Sequence, residues 1–285
     1  MIAVITDTCA CIPSPLARDL RIEVVPYYLH RGAETLRDQL DITSSEFYAW
    51  LPTAVPLPTT ANPGPGDYLA AFRRVVAWAT GAVVVTMTAK GSGAYQSACV
   101  AAEMAMAQQP DFRVAVVDTE QVAMVHGWAA IEAARCAQRG ADLDAVAAVA
   151  RAVAARGCML KTADTLRYLY RGGRIGRARH LVGTLLNIKP IISMEAGVIV
   201  ARGTARSIAR ACDRIVTLMA SYGAADGPIK VAVTHAAAPE RAERLLNAVT
   251  ATYECREAWV SELSPVLGVH TGPGCVGVNF FPLSS

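Results

Sequence analysis

The stretch Gly81–Gln96, GAVVVTMTAKGSGAYQ, predicts the central unit of the fold. Residues 82–86 form a continuous apolar run rich in valine, which is typical of a strand buried on both faces of a sheet. A loop of small residues follows at 90–93, and from Ala94 the larger side chains recur at close to helical spacing. Such a strand, Gly-Ser-Gly turn and helix start leave backbone N–H groups free to meet an anion. Ser92 then either caps the helix or donates its hydroxyl to a ligand.

Strands alternate with helices on either side of this unit, which predicts a parallel sheet covered on both faces. We expect strands at 2–6, 22–29, 82–86 and 114–118. We expect one helix that is capped by Asp67, a second that starts at Ala94, and two more at 121–138 and 143–155. Ligands of such sheets bind beyond the carboxyl ends of the strands. The residues at those ends, or in loops that reach them, are Asp7, Thr60, Ser92 and Asp118.

The segment between the second strand and Asp67 is polar and rich in proline. We expect one short helix near 44–51. The run 56–66, PLPTTANPGPG, is expected to lack regular structure, because proline cannot donate to a ladder and restricts the residue before it.

A boundary near residue 155 separates this half from one of different character. After it we expect a short helix at 165–170 capped by Asp164, a β-hairpin at 188–202 that is approached from 185, and a long helix at 205–222. A strand at 228–234, a helix at 239–250 and strands at 258–263 and 275–280 complete a mixed sheet. The sequence therefore predicts two α/β domains, 1–155 and 156–285, the second being smaller.

Composition narrows the class of protein. The 285 residues are 53% hydrophobic and 18% charged, with a net charge of +3 that is too small and dispersed to indicate nucleic acid binding. No apolar run approaches the roughly 20 residues of a membrane helix, and the N-terminus lacks a basic leader, so we expect a cytoplasmic protein. The eight cysteines show neither C-x-x-C pairs nor zinc spacing, which favours structural thiols in a reducing compartment and no metal site.

Short motifs along the whole chain together resemble the DegV family, whose better-understood members bind fatty acids. Each motif is weak alone, but their order and spacing are specific. They are Ile5-Thr-Asp7, Val24-Val-Pro26, Asp38 with Asp41-Ile42, Pro58-Thr-Thr-Ala-Asn-Pro63, Gly91-Ser-Gly-Ala-Tyr-Gln-Ser-Ala98, Val117-Asp-Thr119, Tyr170-Arg-Gly-Gly-Arg-Ile175, Leu186-Asn-Ile-Lys-Pro190 and His270-Thr-Gly-Pro-Gly274.

The resemblance implies a two-domain DegV-like (EDD) fold that holds one long-chain fatty acid in a tunnel where the domains meet. It implies carboxylate ligands at Thr60, Ser92 and His270, with help from the Gly93 amide. Arg174 would lie near the mouth of the tunnel and Arg206 nearby.

The same resemblance implies a non-enzymatic carrier without a cofactor, the lipid-binding subunit of a bacterial fatty acid kinase. A separate ATP-dependent kinase would phosphorylate the presented carboxylate, and only transient membrane contact is expected. The arginine-rich stretch 168–179 is interpreted as a docking surface for that kinase.

The chain departs from the family pattern at two positions near the expected head group. Ala61 replaces the usual serine and Ala94 the usual threonine, so two hydroxyls are lost. The alternative is a hydrolase or transferase that acts on a lipid or acyl ester through Ser92, with His270 and either Asp7 or Asp118. That alternative lacks the G-x-S-x-G spacing of a nucleophile elbow. A nucleotide site lacks both of its usual glycine motifs.

Overall fold

The computed structural model describes residues 1–181 and 188–283. Its strands, numbered along the chain, are β1 (Ile2–Asp7), β2 (Ile22–Val25), β3 (Tyr28–Arg31), β4 (Glu34–Arg37), β5 (Thr59–Ala61), β6 (Gly81–Thr86), β7 (Arg113–Asp118), β8 (Cys158–Thr162), β9 (Lys189–Glu195), β10 (Val198–Ala205), β11 (Ile229–His235), β12 (Cys255–Glu262) and β13 (Val276–Pro282). Its α-helices are α1 (Ser14–Asp19), α2 (Ser44–Trp50), α3 (Pro65–Val75), α4 (Ala94–Gln108), α5 (Met124–Gln138), α6 (Leu143–Arg156), α7 (Arg167–Arg171), α8 (Ile208–Met219), α9 (Pro239–Thr252) and α10 (Pro265–Thr271).

The first half is built on a parallel sheet in the order β2-β1-β6-β7. Every residue of β6 is buried, as its unbroken apolar run predicts. Alternate residues of β1 face opposite layers: Ile5 packs with α3 and α4, whereas Val4 packs with α5 and α6. The carboxyl ends of all four strands therefore open onto one edge of the layered structure.

The second half carries a mixed sheet in the order β10-β9-β8-β13-β11-β12. Strands β11 and β12 are parallel, and the other neighbours are antiparallel. Helices α8 and α9 cover its outer face. The predicted α/β fold class, parallel then mixed, is confirmed. The predicted hairpin is confirmed as β9 and β10, while residues 185–187 of its approach lie outside the described residues.

The two halves share packing across the predicted boundary near residue 155. Trp128 of α5 is fully buried, and its ring centroid lies 4.3 Å from that of Trp259 and 5.7 Å from that of Phe281. Its indole N–H donates to the Asn279 carbonyl oxygen at 3.2 Å. One apolar cluster thus contains residues from both halves, and the division into domains 1–155 and 156–285 stays a prediction.

The prediction that run 56–66 lacks regular structure is wrong. Strand β5 pairs antiparallel with β3 in a small sheet of order β4-β3-β5, and α3 begins at Pro65. Proline suits the first turn of a helix, where its missing N–H has no partner to lose. Asp67 is not the N-cap: it lies in the first turn, where its Oδ2 accepts from the Gly64 amide at 2.8 Å.

Three other expectations need correction. The strand predicted at 22–29 is two strands in different sheets, because Pro26 has no N–H to continue a ladder. Asp164 does not cap α7; its carboxylate oxygens lie 3.1 Å from Lys189 Nζ and 2.9 Å from Arg241 Nη1. Helix α8 begins only after Ser207, since residue 205 still belongs to β10.

Strand β8 and helix α10 were not predicted at all, and both prove central to the site. No helix in the described part of the chain has both the length and the apolar character needed to cross a bilayer.

Candidate functional site

A cavity of about 350 Å³ lies between the carboxyl ends of the parallel sheet and the inner face of the mixed sheet. Its volume falls in the range of about 300–1,000 Å³ that is usual for small-molecule sites. Most of its wall is apolar. The larger aliphatic lining residues are Met87, Val122, Met159, Leu169, Ile192, Met194, Val198, Ile199, Val266 and Leu267.

Polar groups from three separate segments line the same cavity. The Thr60 hydroxyl oxygen on β5 lies 3.0 Å from His270 Nε2 on α10. Ser92, just before α4, has its hydroxyl oxygen 2.7 Å from the Tyr27 hydroxyl and accepts from the Ala94 amide at 3.2 Å. The cavity therefore combines a long apolar wall with hydroxyl and imidazole donors.

His270 is held neutral at physiological pH. Burial, together with the nearby Arg174 charge, lowers its pKa to about 4. Arg174 also lines the cavity, and its guanidinium donates to the Gly172 carbonyl oxygen at 2.7 Å. The site thus combines neutral donors with the positive charge of Arg174, an arrangement that favours an anionic group.

The backbone at Gly172 passes directly against the His270 ring. A Cβ atom placed on Gly172 would lie 2.3 Å from His270 Nδ1, a distance that real side chains do not adopt. Glycine at this position therefore leaves room for the ring to reach Thr60. The imidazole nitrogen Nδ1 has no hydrogen-bond partner among the described residues.

The structure brings most of the sequence-predicted residues to one place. Thr60, Ser92, Gly93, His270 and Arg174 all line the cavity. Arg206 is exposed and is not among the lining residues.

Sequence reasoning missed Tyr27, which is 4% exposed and contacts Ser92. The available signal was its place directly after the Val24-Val-Pro26 motif, within the strand predicted at 22–29.

The hydrolase triad considered from sequence is not assembled in the described structure. Ser92 pairs with Tyr27 and His270 with Thr60, so no hydrogen bond joins the serine to the histidine. Asp7 accepts from the Cys9 amide, and Asp118 accepts from the amides of Glu120 and of Ala89 in the loop after β6. Neither aspartate lines the cavity. The site therefore lacks the nucleophile–base contact that such chemistry uses.

Comparison with known proteins agrees with this geometry. The family model described as "Uncharacterised protein, DegV family" matches residues 1–283. The chain belongs to the DegV family.

A DegV domain-containing protein of Streptomyces coelicolor is 34% identical over 279 residues, covering 97% of both chains. Among solved structures, a DegV family protein of Thermus thermophilus, described for its fatty acid binding, is 30% identical with a TM-score of 0.91 over 99% of both chains. DegV of Bacillus subtilis, described as a fatty acid binding protein, is 27% identical with a TM-score of 0.88 over 99% of both chains.

In this DegV family chain, the helix that carries His270 starts beside a buried acid. Asp38 has no exposed surface, and burial raises the pKa of its carboxyl to about 7. Within the described residues no donor meets full hydrogen-bond geometry to its oxygens, although the Thr8 and Ser264 hydroxyls and the Val266 amide lie close enough to favour the charged form. Since Ser264 is the N-cap of α10, Asp38 lies at the amino end of the His270 helix.

Replacing Asp38 by asparagine is expected to make stability rise more with pH than in the wild type. The Asp38 carboxyl keeps its proton up to about pH 7 in the native protein, whereas it ionises near pH 4 in the unfolded chain. As the pH rises between these values, Asp38 therefore lowers the free energy of unfolding by up to about 1.4 kcal/mol for each pH unit. His270 acts oppositely, because its lowered pKa makes the contribution to stability fall as pH drops from about 6.5 towards 4. Asp38→Asn leaves only the His270 effect of these two.

Urea unfolding of both proteins across this pH range measures the difference. Parallel stability profiles would contradict a raised Asp38 pKa.

Proposed function

We propose that this chain binds a long-chain fatty acid in the cavity between its two large sheets. The carboxylate is held by the Thr60 and Ser92 hydroxyls, the Gly93 amide and His270. The observation that carries this proposal is the single cavity in which a long apolar wall meets hydroxyl donors and the Arg174 charge. The fatty acid binding described for the Thermus and Bacillus relatives supports it.

The head-group donors match the needs of a carboxylate. Burying a carboxylate without partners costs several kcal/mol or more, so each of its oxygens needs donors. The Tyr27–Ser92 contact fixes the serine hydroxyl, and the Thr60–His270 contact fixes the second hydroxyl. Arg174 adds long-range attraction without being buried itself.

The apolar wall supplies most of the affinity. At about 0.8 kcal/mol per buried methylene, a tail of roughly fourteen methylenes contributes about 11 kcal/mol before the cost of ordering. The tail therefore sets the strength of binding, and the polar cluster sets which end of the ligand lies at Arg174.

We further propose that the chain presents the carboxylate to a separate ATP-dependent kinase and performs no chemistry alone. Arg174 belongs to both the cavity lining and an exposed basic surface. The exposed arginines of this surface are Arg167, Arg171, Arg174, Arg177 and Arg179. A basic surface beside the head group suits both an acidic kinase surface and the charge of a transferring phosphoryl group.

Native mass spectrometry of the purified protein, followed by denaturing extraction, tests the binding. We expect one co-purifying fatty acid per chain, or stoichiometric uptake after removal of lipid. Purified protein that contains no fatty acid and does not bind added fatty acids of any length would overturn the proposal.

Ser92→Ala tests the head-group site. Losing one hydrogen bond to a charged group costs about 1.5–3 kcal/mol, which weakens binding about 10- to 100-fold. Ser221→Ala is the matched control, since Ser221 is exposed and lies outside the cavity lining. Fatty acid methyl esters carry no charge and should bind Ser92→Ala and Ser221→Ala with equal affinity. If Ser92→Ala lost the same affinity for esters as for acids, Ser92 would act on the fold instead.

The kinase step has its own readout. Loaded protein with ATP alone should yield no acyl phosphate trapped by hydroxylamine, whereas an extract of the source organism should yield it. Arg174→Ala should bind fatty acid somewhat less tightly, because it loses only a long-range attraction, and at saturating fatty acid it should lose this turnover. Equal turnover in both proteins would contradict the role given to Arg174.

A further inference from the structure

Lys161 is a buried lysine on the wall of the acyl cavity. The chain has four lysines, and Lys161 is only 3% exposed. Lys90, Lys189 and Lys230 each form ion pairs with acidic side chains. Lys161 makes neither a hydrogen bond nor an ion pair through its side chain within residues 1–181 and 188–283. Its side chain reaches the cavity, and a lysine in so buried a place is stabilised by a polar group that the cavity admits.

The register of β8 directs this side chain to the cavity. Met159 and Lys161 line the cavity, whereas Cys158 and Leu160 pack into the outer core of the mixed sheet. Residues two apart share a face of a strand, so Lys161 shares its face with the apolar wall. The polar residues on this face include Thr234 and Asn279, which hydrogen-bond to each other at 2.9 Å. Among the described residues neither of them bonds to Lys161.

The facing residue on β13 makes space for the lysine. Lys161 pairs with Gly277, where a Cβ atom would lie 2.5 Å from Lys161 Cγ and 2.3 Å from the Leu160 carbonyl oxygen. Any larger residue at 277 would push on the lysine stem. The local packing therefore accommodates this long polar side chain inside the wall.

The lysine is separate from the head-group site. Burial lowers the pKa of Lys161, and the titratable groups near it are the thiols of Cys275 and Cys11. Arg174, by contrast, acts on His270, while Lys161 does not. Lys161 is thus a polar position of the cavity lining in addition to the cluster of Thr60, Ser92 and His270.

We propose that Lys161 makes the cavity selective for acyl chains that carry a second oxygen, as a hydroxyl or carboxyl group along the tail. This inference rests on the proposed fatty acid function and names the ligand class of the same cavity. Both the ammonium and the amine form of Lys161 have N–H groups to donate to such an oxygen. A plain acyl chain would leave those N–H groups without a partner.

Binding measurements with stearic acid, hydroxystearic acids substituted at successive positions, and the dicarboxylic acid of equal length test the inference. Wild-type protein is expected to bind at least one oxygenated ligand about tenfold more tightly than stearic acid. Lys161→Met, which keeps the length of the side chain, should lose that preference and bind stearic acid as well or better. Met194→Leu, another change in the cavity wall, should keep the preference.

Each other outcome is decisive. Equal affinities for all ligands in both proteins would overturn the inference and leave fatty acid binding intact. Equal weakening of every ligand by Lys161→Met would place the lysine at the shared carboxylate, which also overturns it. Absence of binding by any ligand to the wild type would overturn the proposed function itself. The melting temperature of Lys161→Met should rise; a fall would indicate that the lysine has a structural partner.

Discussion

Gly172→Ala is expected to weaken fatty acid binding by at least about tenfold while the protein still folds. The new methyl group would lie 2.3 Å from His270 Nδ1 and 3.0 Å from its Cε1, so the ring must move. Movement of the ring takes Nε2 away from Thr60, and both head-group donors lose their geometry. Isothermal titration calorimetry with delipidated protein measures the loss.

Gly227→Ala is the matched control, because a Cβ atom at Gly227 meets nothing within 4 Å. A double-mutant cycle with His270→Ala separates the mechanism from a general disturbance. Once His270→Ala has removed the ring, a methyl group at position 172 no longer meets its main obstacle. Gly172→Ala should then weaken fatty acid binding little further. An undiminished effect of Gly172→Ala in the His270→Ala background would show that the ring does not transmit it.

Trp128→Ala is expected to cost about 3–5 kcal/mol of stability, the usual range for truncating a large buried aromatic side chain. The indole packs on Trp259 and Phe281 and donates to the Asn279 carbonyl oxygen, so truncation leaves a cavity and removes a buried hydrogen bond. Because these partners belong to the other half of the chain, the loss should affect both halves together. Urea unfolding followed by far-ultraviolet circular dichroism measures it.

Trp128→Phe is the control and should cost less than half as much, since a ring still fills most of the space. The wild type should unfold in one transition, because its largest apolar cluster spans the predicted boundary. Two separate transitions, or a loss below about 1 kcal/mol for the alanine variant, would indicate halves that are stable independently.

Local signals in the sequence predicted most of the elements. The continuous apolar run at β6 and the alanine-rich α4 behave as isolated patterns suggest, since nothing in the fold competes with them. Strand β5 was missed because its prolines suppress the strand pattern, yet pairing with β3 supplies the ladder. Helix α10 was missed because its residues, PVLGVHT, are poor helix formers that tertiary packing holds in place.

The site divides in the same way. Thr60, Ser92 and His270 could be named from motifs, whereas their pairing depends on register and on the approach of Gly172. Tyr27 and Lys161 were missed because their roles arise only when distant strands meet. A lysine directly after the apolar residues 158–160 was the available signal for the second of these.

The cavity wall also bears on how such a protein can diversify. Met159, Ile192, Met194 and Ile199 lie on β8, β9 and β10, strands that carry none of the four proposed carboxylate ligands. Substitutions on these strands can therefore alter the acceptable tail without disturbing recognition of the acid group. Paralogues can in this way bind different lipids while the same kinase still recognises the acid group that each of them presents.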